Sequence, residues 1–437
     1  MKIAVIGAGL AGLSAAWLLA RPHAQGVHEV VLYERQHAPG FTASSVSLPA
    51  EGRWPAARVD VPLRVFYPGY YPTLSRLYEE LGVRSEPVSY DSSFVDAAGR
   101  LTFRYRNLLL GARSFSYLAP ADFLAPQARP IVADVLRFNR CAAADLRAGR
   151  LQGRTIGEYV GRGGYSAAFV EGFLLPAVCT VCTCPTAMAR ELPVPVVVDY
   201  LVRGLTRQAV RRALHGADDV QARLLQGIAT LHAGRGIESV RRDPASGTVS
   251  VHTADGLQAP FDHVVFATAA PHALRLLADA SPAEAAMLAG FRYAPVEVLT
   301  HRDASFMPAR RAHWSSVTLR VDPAQEAPES TIWINAVQPA LRGAADVFQT
   351  VGPHRASRPG TVLGQARFER PVVSAGSQAA LQALTALHAE PARRVWFCGS
   401  YAQAGVPLLE SAVRSAADVA QALGAAWPPH RADSARG

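Results

Sequence analysis

The sequence predicts an α/β protein, and its first 34 residues contain the observations that favour this class. Residues 3–6 are a short apolar run, typical of a strand that is buried on both faces of a parallel sheet. A glycine-rich turn and a helical pattern at residues 10–19 follow, and a second apolar run at residues 30–33 ends in Glu34. These segments predict a strand, a helix and a second strand of a doubly wound sheet.

The glycines of the turn have the spacing of a dinucleotide-binding motif. Gly7, Gly9 and Gly12 match G-x-G-x-x-G, in which the glycines permit a tight turn, close approach to a pyrophosphate, and close packing of helix on strand. Glu34 follows Gly12 by 22 residues, near the usual offset of about 20 for an acid that binds a ribose. The sequence thus predicts dinucleotide binding, and a unit that has lost its ligand is the alternative.

Composition limits the class of protein and its partners. The chain has 437 residues, of which 49% are hydrophobic and 18% charged, so we expect a globular protein with more than one domain and no membrane span. The net charge of +9 comes from arginines spread along the chain, and Lys2 is the only lysine. Unclustered arginines do not indicate nucleic-acid binding. We interpret them as a solvated basic surface, with an anionic membrane surface or an acidic substrate as alternatives.

The chain has an odd number of cysteines, which predicts reduced thiols and a cytoplasmic protein. They are Cys141, Cys179, Cys182, Cys184 and Cys398. Three of them form a C-x-x-C-x-C sequence, but no further cysteine or histidine nearby completes a zinc or iron–sulfur site. We therefore expect small buried side chains and no metal.

The rest of the chain alternates between helical and extended patterns. Helices are predicted at residues 193–214 and 218–231, and buried strands at residues 262–267 and 395–398. Because buried strands occur near both ends, we expect a parallel sheet built from both ends of the chain, with a substrate domain inserted. The predicted nucleotide-binding segments are 1–66, 216–290 and 391–426, the substrate-domain segments are 67–215 and 291–390, and a disordered tail is predicted at 427–437.

Three stretches carry a resemblance to a known family. They are VIGAGLAGLSAAWLL with YER, VDVPLRVFYPGYYPTLSRLYEELGV, and RVWFCGSYAQAGVPLLESAVRSAADVAQAL. With them, nearly the whole chain resembles the FAD-dependent amine oxidase superfamily, and within it a bacterial branch of predicted NAD/FAD-binding oxidoreductases. The resemblance implies a Rossmann-like FAD-binding domain assembled from N- and C-terminal segments, and an inserted α+β substrate domain with an antiparallel sheet and helices.

The resemblance also implies which residues hold FAD. The glycine-rich turn would bind the pyrophosphate, Glu34 the adenosine ribose, and the main chain at Val240 the adenine, while the helix after Val406 would face the flavin pyrimidine. The full set of implied FAD-binding residues is Gly7, Ala8, Gly9, Leu10, Ala11, Gly12, Glu34, Arg35, Gly40, Phe41, Thr42, Val240, Ala267, Thr268, Gly399, Ser400, Val406, Pro407, Leu408 and Leu409.

Catalytic candidates are aromatic and polar residues outside the cofactor motifs, namely Tyr70, Trp314, Asn335 and Tyr401. Tyr401 is included because it directly follows the C-terminal flavin motif. Many amine oxidases place a lysine near flavin N5, whereas the only lysine here lies in the first strand. That absence makes ordinary amine oxidation a weaker expectation.

We therefore expect an FAD-dependent oxidoreductase that takes a hydride from a hydrophobic small molecule. A desaturase, oxidase or isomerase of an acyl or polyene compound is the favoured function, since the bacterial branch is associated with lipid modification. A flavin amine oxidase and a non-catalytic FAD-binding partner in a biosynthetic complex are the alternatives. A peripheral membrane surface or a carrier-bound substrate is left open as a further partner.

Overall fold

The computed structural model describes residues 1–22, 26–125, 127–203 and 208–427. It confirms the predicted α/β class, because a parallel sheet stands beside separate antiparallel sheets. Apart from Trp427, the tail predicted at 427–437 lies outside the described residues.

The strands of the described residues are numbered here in chain order. They are β1 (Lys2–Ile6), β2 (Glu29–Glu34), β3 (Val46–Leu48), β4 (Ala57–Val59), β5 (Ser85–Val88), β6 (Ser92–Val95), β7 (Leu101–Leu110), β8 (Arg113–Tyr117), β9 (Val210–Ala213), β10 (Thr230–Ala233), β11 (Ile237–Asp243), β12 (Thr248–Thr253), β13 (Gln258–Phe261), β14 (His263–Phe266), β15 (Tyr293–His301), β16 (Val317–Arg320), β17 (Glu329–Trp333), β18 (Phe348–Val351), β19 (Val362–Pro371) and β20 (Val395–Phe397).

The α-helices are numbered in the same way. They are α1 (Leu10–Leu19), α2 (Pro72–Glu80), α3 (Pro120–Phe123), α4 (Ala128–Arg147), α5 (Ile156–Gly163), α6 (Ala167–Phe169), α7 (Leu175–Cys182), α8 (Thr186–Glu191), α9 (Val194–Val202), α10 (Gly216–Leu225), α11 (Ala270–Leu276), α12 (Pro282–Ala289), α13 (Ile334–Val337), α14 (Ala375–His388) and α15 (Leu409–Ala422). None of these helices combines the length and apolar character that crossing a bilayer requires.

The parallel sheet has the order β10-β2-β1-β14-β20. Successive residues of β1 point to opposite faces, so Ile3 and Val5 pack into one core cluster and Ala4 and Ile6 into another. Both faces are therefore buried, which explains the unbroken apolar run. The first two strands pair with β14 and β10 from the middle of the chain, and β20 from its far end completes the sheet.

Helices α1 and α15 pack side by side on one face of this sheet. Leu13 of α1 and Val413 and Ala416 of α15 are fully buried in the same cluster as Ile3 and Val5. The two ends of the chain thus form one layer, although the starts of the two helices, Leu10 and Leu409, are 399 residues apart.

A second, larger sheet has the order β19-β15-β18-β17-β16-β6-β7-β8. Its neighbouring strands are antiparallel except β6 and β16, which run parallel. A cluster of helices that includes α4, α5, α7 and α9 has its own apolar core around Phe138, Phe169 and Val198. This sheet draws strands from both sides of the helical stretch.

Two predicted helices are shorter than expected, and each is followed by a strand. The helix predicted at 193–214 ends as α9 at Val202, and β9 then pairs with β5. The helix predicted at 218–231 ends as α10 at Leu225, and β10 then becomes an edge strand of the parallel sheet. Both segments form strands because they pair with strands that are distant in the sequence. The local hydrophobic periodicity gives no sign of this pairing.

A buried carboxylate joins α12 to the strands around it. Glu284 is 2% exposed, its side chain accepts a hydrogen bond from the Arg393 Nη2 at 2.8 Å, and it also pairs with Arg242. Burial alone would raise the pKa of Glu284, but the Ser281 N–H and the charges of Arg242 and Arg393 lower it. The carboxylate is therefore held ionised by its partners.

We expect Glu284→Gln to destabilise the protein by about 3 kcal/mol, because a buried guanidinium loses its charged partner. The ionised Glu284 carboxylate stabilises the fold above the ordinary glutamate pKa of 4.5, and this stabilisation is lost as the pH falls below that value. The difference in stability between variant and wild type should therefore shrink in acid. Urea unfolding at neutral and acidic pH measures both effects. Glu79→Gln, on an exposed residue of α2, is the control, and equal stabilities of the two variants would contradict the expectation.

Candidate functional site

The turn between β1 and α1 has the geometry that its glycines predict. Gly7 has φ +105°, a conformation that L side chains rarely adopt, and its N–H donates to the Tyr33 carbonyl at 2.8 Å. A Cβ atom on Gly12 would lie 1.8 Å from the Gly7 carbonyl oxygen, so only glycine fits there. A Cβ atom on Gly9 would meet no atom within 4 Å. Gly9 therefore leaves its backbone open to a ligand.

Glu34 ends β2 beside this turn and is 8% exposed. Its Oε2 accepts from the Ala8 N–H at 2.9 Å, and its Oε1 accepts from the Gln36 N–H at 2.9 Å. A carboxylate has further acceptor capacity beyond these two bonds, so it can also bind ribose hydroxyls. The acid is thus positioned by the same loop that would hold the phosphates.

The N-termini of α1 and α15 have no side-chain cap. Gly9 and Leu408 are the capping residues, and neither makes a side-chain hydrogen bond to its helix. Glu410, in the first turn of α15, instead accepts from the Thr73 and Leu74 N–H groups of α2 at 3.0 and 2.9 Å. Uncapped N–H groups and the positive end of the helix dipole make both positions suited to anionic groups.

Two buried polar atoms around these loops have no hydrogen-bond partner in the part of the chain that the structure describes. They are Ser45 Oγ and Thr268 Oγ1. Such atoms are costly unless a ligand or water satisfies them. Together with the open glycine and the uncapped helices, they fit a bound dinucleotide.

The structure brings most of the predicted cofactor residues to this place. Ala267 and Thr268 follow β14, and their atoms lie 3.0 and 3.2 Å from a Cβ atom placed on Gly7. The Phe41 N–H donates to the Ala8 carbonyl at 3.3 Å, and a Cβ atom on Gly40 would lie 3.3 Å from the Glu34 carboxylate. The strand-to-loop connections of β1, β2 and β14 therefore converge.

The C-terminal motif is held against α15. The Gly399 N–H donates to the Ser415 Oγ at 2.9 Å, and the half-buried Ser400 follows. Val406 and Pro407 are buried ahead of the helix start, where Leu408 and Leu409 are half-buried. This segment leads into α15, which packs on α1.

Other predicted contacts are placed differently. Val240 is fully buried, and its carbonyl accepts from the Ala278 N–H at 2.9 Å, so its main chain is engaged in the core. The Arg235 N–H, just after β10, donates to the Glu34 carbonyl at 3.0 Å. Arg35 is exposed, and the Thr42 hydroxyl donates to Gln221 at 3.2 Å.

Aromatic residues of three segments meet where the helical cluster contacts the nucleotide-binding sheet. This tyrosine cluster consists of Tyr70, Tyr71, Tyr90 and Tyr200. The ring of Tyr70 lies 4.8 Å from that of Tyr200 and 5.4 Å from that of Tyr71, and its hydroxyl accepts from the Val406 N–H at 2.9 Å. The cluster therefore borders the start of α15.

Burial keeps this cluster uncharged. Desolvation raises the pKa of Tyr70 and of Tyr90 to about 12, and it raises the pKa of Tyr71 and Tyr200 well above the ordinary value. Desolvation also raises the pKa of the Cys182 thiol to about 12 beside them. The site is thus lined by neutral phenols and a neutral thiol.

The structure places three of the predicted catalytic residues outside the tyrosine cluster, and their catalytic role stays a prediction. The amide of Asn335 donates to the Leu341 carbonyl at 2.9 Å and accepts from the Val347 N–H at 2.8 Å. The Trp314 indole donates to the Pro308 carbonyl at 2.7 Å. Tyr401 is 4% exposed in the apolar core against Phe291, and its hydroxyl has no partner within the described residues.

Two of the clustered cysteines interact with each other. Among the described residues, no group of three or more His, Cys, Asp or Glu side chains could hold an ion. The hydrogen bond between Cys179 and Cys184, together with burial, raises the pKa of Cys184. Cys179, Cys184 and Cys398 are buried, and Cys141 and Cys182 are half-buried.

Part of the sequence matches a known family model, and the fold matches solved structures. Residues 5–81 match the family model described as an NAD(P)-binding Rossmann-like domain. A structure of cyclohexylamine oxidase from Brevibacterium oxydans is 15% identical and has a TM-score of 0.64, with 97% of this chain and 99% of that chain covered. The chain shares its fold with this amine oxidase.

Two further solved structures share this fold. The CLA-producing fatty acid isomerase from P. acnes is 15% identical with a TM-score of 0.65, and the match covers 96% of this chain and 98% of that one. Putrescine oxidase with bound putrescine is 13% identical with a TM-score of 0.64, covering 97% and 99%. A comparison with curated protein sequences found no match.

The two glycines of the turn give a matched test of the cofactor site. We expect Gly12→Ala to lower stability and abolish FAD binding, because its methyl group would overlap the Gly7 carbonyl. Gly9→Ala should fold normally but bind FAD at least about tenfold more weakly, because its methyl group occupies the ligand's approach. Thermal unfolding and equilibrium dialysis with FAD separate the effects, and unchanged FAD affinity in Gly9→Ala would contradict the assignment.

Proposed function

We propose that the protein is an FAD-dependent oxidoreductase that takes a hydride from a hydrophobic organic substrate. The observation that carries this proposal is the open turn at Gly9 before α1, together with the packing of α1 on α15, since neither helix has a side-chain cap at its N-terminus. When bound, FAD supplies the hydride-accepting chemistry, and the protein supplies binding and orientation.

The chain's own groups would divide the cofactor between them. The turn at Gly9 and the N-terminus of α1 would hold the pyrophosphate, and Glu34 would accept hydrogen bonds from the ribose. The N-terminus of α15, preceded by Val406 and Leu408, would face the pyrimidine end of the flavin, where its dipole favours negative charge.

The substrate side is supported by the tyrosine cluster. Its rings are close-packed and neutral, and Tyr70 contacts the segment that leads into α15. Such walls exclude water and favour an apolar molecule over a strongly hydrated one. A solved structure of the same fold is a fatty acid isomerase. We therefore favour an acyl or polyene substrate and a desaturase, oxidase or isomerase reaction.

Amine oxidation is a second candidate, because two solved structures of this fold are oxidases of cyclohexylamine and putrescine. Two observations weigh against it. Lys2 lies in β1 and pairs with Glu29 at 3.7 Å, so it serves the parallel sheet. Arg370 lies deep in the protein near Tyr71, and Arg64 is close enough to interact with Arg370, so their charge would repel a protonated amine at the tyrosine cluster.

Purified protein should be yellow, with flavin absorbance near about 450 nm. When it is mixed with linoleate in the absence of oxygen, the protein should either lose its flavin absorbance or convert linoleate to a rearranged acid with unchanged absorbance. Hexylamine should produce neither effect. Absence of flavin after incubation with excess FAD would overturn the proposal. Bleaching by hexylamine alone would favour the amine oxidase, and the Gly9→Ala variant provides the flavin-poor control.

A further inference from the structure

Two arginines near the tyrosine cluster differ from the other deeply placed arginines of the chain. Buried guanidiniums are ordinarily paired with a carboxylate, because an uncompensated buried charge is strongly unfavourable. The ordinary case is shown by Arg104 with Asp122, Arg212 with Glu86, Arg320 with Glu329 and Arg393 with Glu284, at 2.8 to 3.2 Å. Arg64 and Arg370, here called the arginine pair, have no such partner: no carboxylate of the described residues lies within 4.0 Å of either.

The hydrogen bonds of the arginine pair are few and go to carbonyls. Arg64 donates to the Phe41 carbonyl and stacks 4.1 Å over the Phe41 ring, while its Nε is buried without a partner in the described chain. Arg370 donates one long bond of 3.4 Å to the Pro407 carbonyl. Most of their donor capacity is therefore unused.

The arginine pair lies deep in the protein but is partly accessible. Both side chains lie deep enough that desolvation lowers the pKa of each, yet both keep part of their surface accessible. The charge of Arg370 also lowers the pKa of Arg64, so the two cations are close enough to repel. Asp60 acts on Arg64 only from a distance, and its Oδ1 accepts from the Ala217 N–H at 3.0 Å.

The groups that surround Arg370 are apolar or neutral. Arg370 interacts electrostatically with Tyr71 and Cys182, which places it against the tyrosine cluster, and Pro407 places it beside the start of α15. A ligand that satisfies both kinds of surface has an anionic end for the guanidiniums and an apolar body for the rings.

Resting on the proposed function, we propose that the arginine pair binds the carboxylate of the substrate, which is a free acid with an apolar chain. Arg64 approaches the carboxylate from the nucleotide-binding domain and Arg370 from the end of β19. Planar guanidiniums with free donors match a carboxylate in geometry as well as in charge. The substrate is thus oriented by its acid group, and its chain lies along the phenols.

Calorimetric titration of the FAD-loaded protein with sodium decanoate, 1-decanol and decylamine tests this proposal, because heat reports binding without relying on flavin colour. Wild type should bind decanoate at least about tenfold more tightly than decanol. Arg64→Gln and Arg370→Gln should each weaken decanoate binding by about tenfold or more and leave decanol unchanged. Arg370→Lys, which keeps the charge, should restore part of the affinity.

Arg367→Gln is the matched control, because Arg367 is exposed on the same strand as Arg370. Equal decanoate affinity in Arg367→Gln and Arg370→Gln would overturn the proposal, as would equal affinity of wild type for decanoate and decanol. If Arg370→Gln shifted the reduction potential of the flavin and left decanoate affinity unchanged, the charge of Arg370 would act on the flavin, and the proposal would also be overturned. Loss of FAD from wild type, read from the visible spectrum, would instead contradict the proposed function.

A second observation, independent of the cofactor, concerns the edge of the eight-stranded sheet. In the hairpin of β7 and β8, Arg106 pairs with Tyr117, Leu108 with Phe115, and Leu110 with Arg113. These six residues share one side of the hairpin, because side chains alternate along each strand. We call them the hairpin face.

The hairpin face is apolar, exposed and basic at once. Leu108, Leu110, Phe115 and Tyr117 are 51, 59, 47 and 45% exposed. Helix α3 extends this surface, since its Asp122 pairs with Arg104 and Arg106 of β7, and it ends at the exposed residues Phe123 and Leu124. Large apolar side chains held in the open by a rigid hairpin mark an interaction site.

We further propose that the hairpin face docks on an anionic lipid bilayer. Leucine and aromatic side chains enter the interface between headgroups and acyl chains, and Arg106 and Arg113 meet the negative headgroups. The chain's net charge of +9 provides the matching attraction over longer distances. A protein partner of opposite charge and a second copy of the chain are the competing occupants.

Co-sedimentation with vesicles of phosphatidylcholine containing phosphatidylserine tests the docking. Leu108→Gln combined with Leu110→Gln should abolish sedimentation, and Arg106→Gln or Arg113→Gln should each weaken it about fivefold only when phosphatidylserine is present. Val362→Gln is the matched control, because Val362 is 48% exposed on β19 at the opposite edge of the sheet. Unchanged sedimentation of the double variant, or its conversion of a dimer to a monomer without any effect on vesicles, would overturn the proposal.

Discussion

The contact between Gly12 and the Gly7 carbonyl sets the geometry on which the rest of the molecule depends. A Cβ atom at position 12 would lie 1.8 Å from that carbonyl, so α1 can approach β1 only without a side chain there. This approach leaves the N-terminus of α1, which has no side-chain cap, just beyond the carboxyl end of β1. Helix α15 packs against α1. The site for an anionic cofactor is therefore a consequence of backbone packing, and the side chains around it mainly hold the loops in place.

The sequence predicts the parts of the fold that local pattern encodes. The glycine spacing, the apolar run of β1 and the acid at Glu34 are close together in the chain, and the structure places them as expected. The strands β9 and β10 were missed, because each is four residues long and follows a helix in a helical-looking context. Their partners β5 and β2 lie far away in the sequence, and a local window contains no sign of that pairing.

The candidate site also has parts that the sequence could predict and parts that it could not. The glycine-rich turn and the start of α15 could be located by motif. Trp314 and Asn335 were chosen by residue type and Tyr401 because it follows the C-terminal motif, and all three are held in local structure. Arg64 and Arg370 were not chosen, although each is an arginine in an otherwise apolar context. Sequence shows the charge but not whether a carboxylate from elsewhere neutralises it, and that difference separates Arg370 from Arg393.

The parallel sheet combines strands from both ends of the chain, and this affects when the sheet can be completed during synthesis. Strands β1 and β2 leave the ribosome first, but β20 and α15, which complete their layer, begin only at Val395 and Leu409. At ordinary rates of translation, the intervening residues take on the order of 20 to 70 s to synthesise. During that time the apolar faces of β1 and α1 lack part of their cover. The cofactor site is thus finished last, and a chain truncated before β20 would expose the strands that the complete protein buries most deeply.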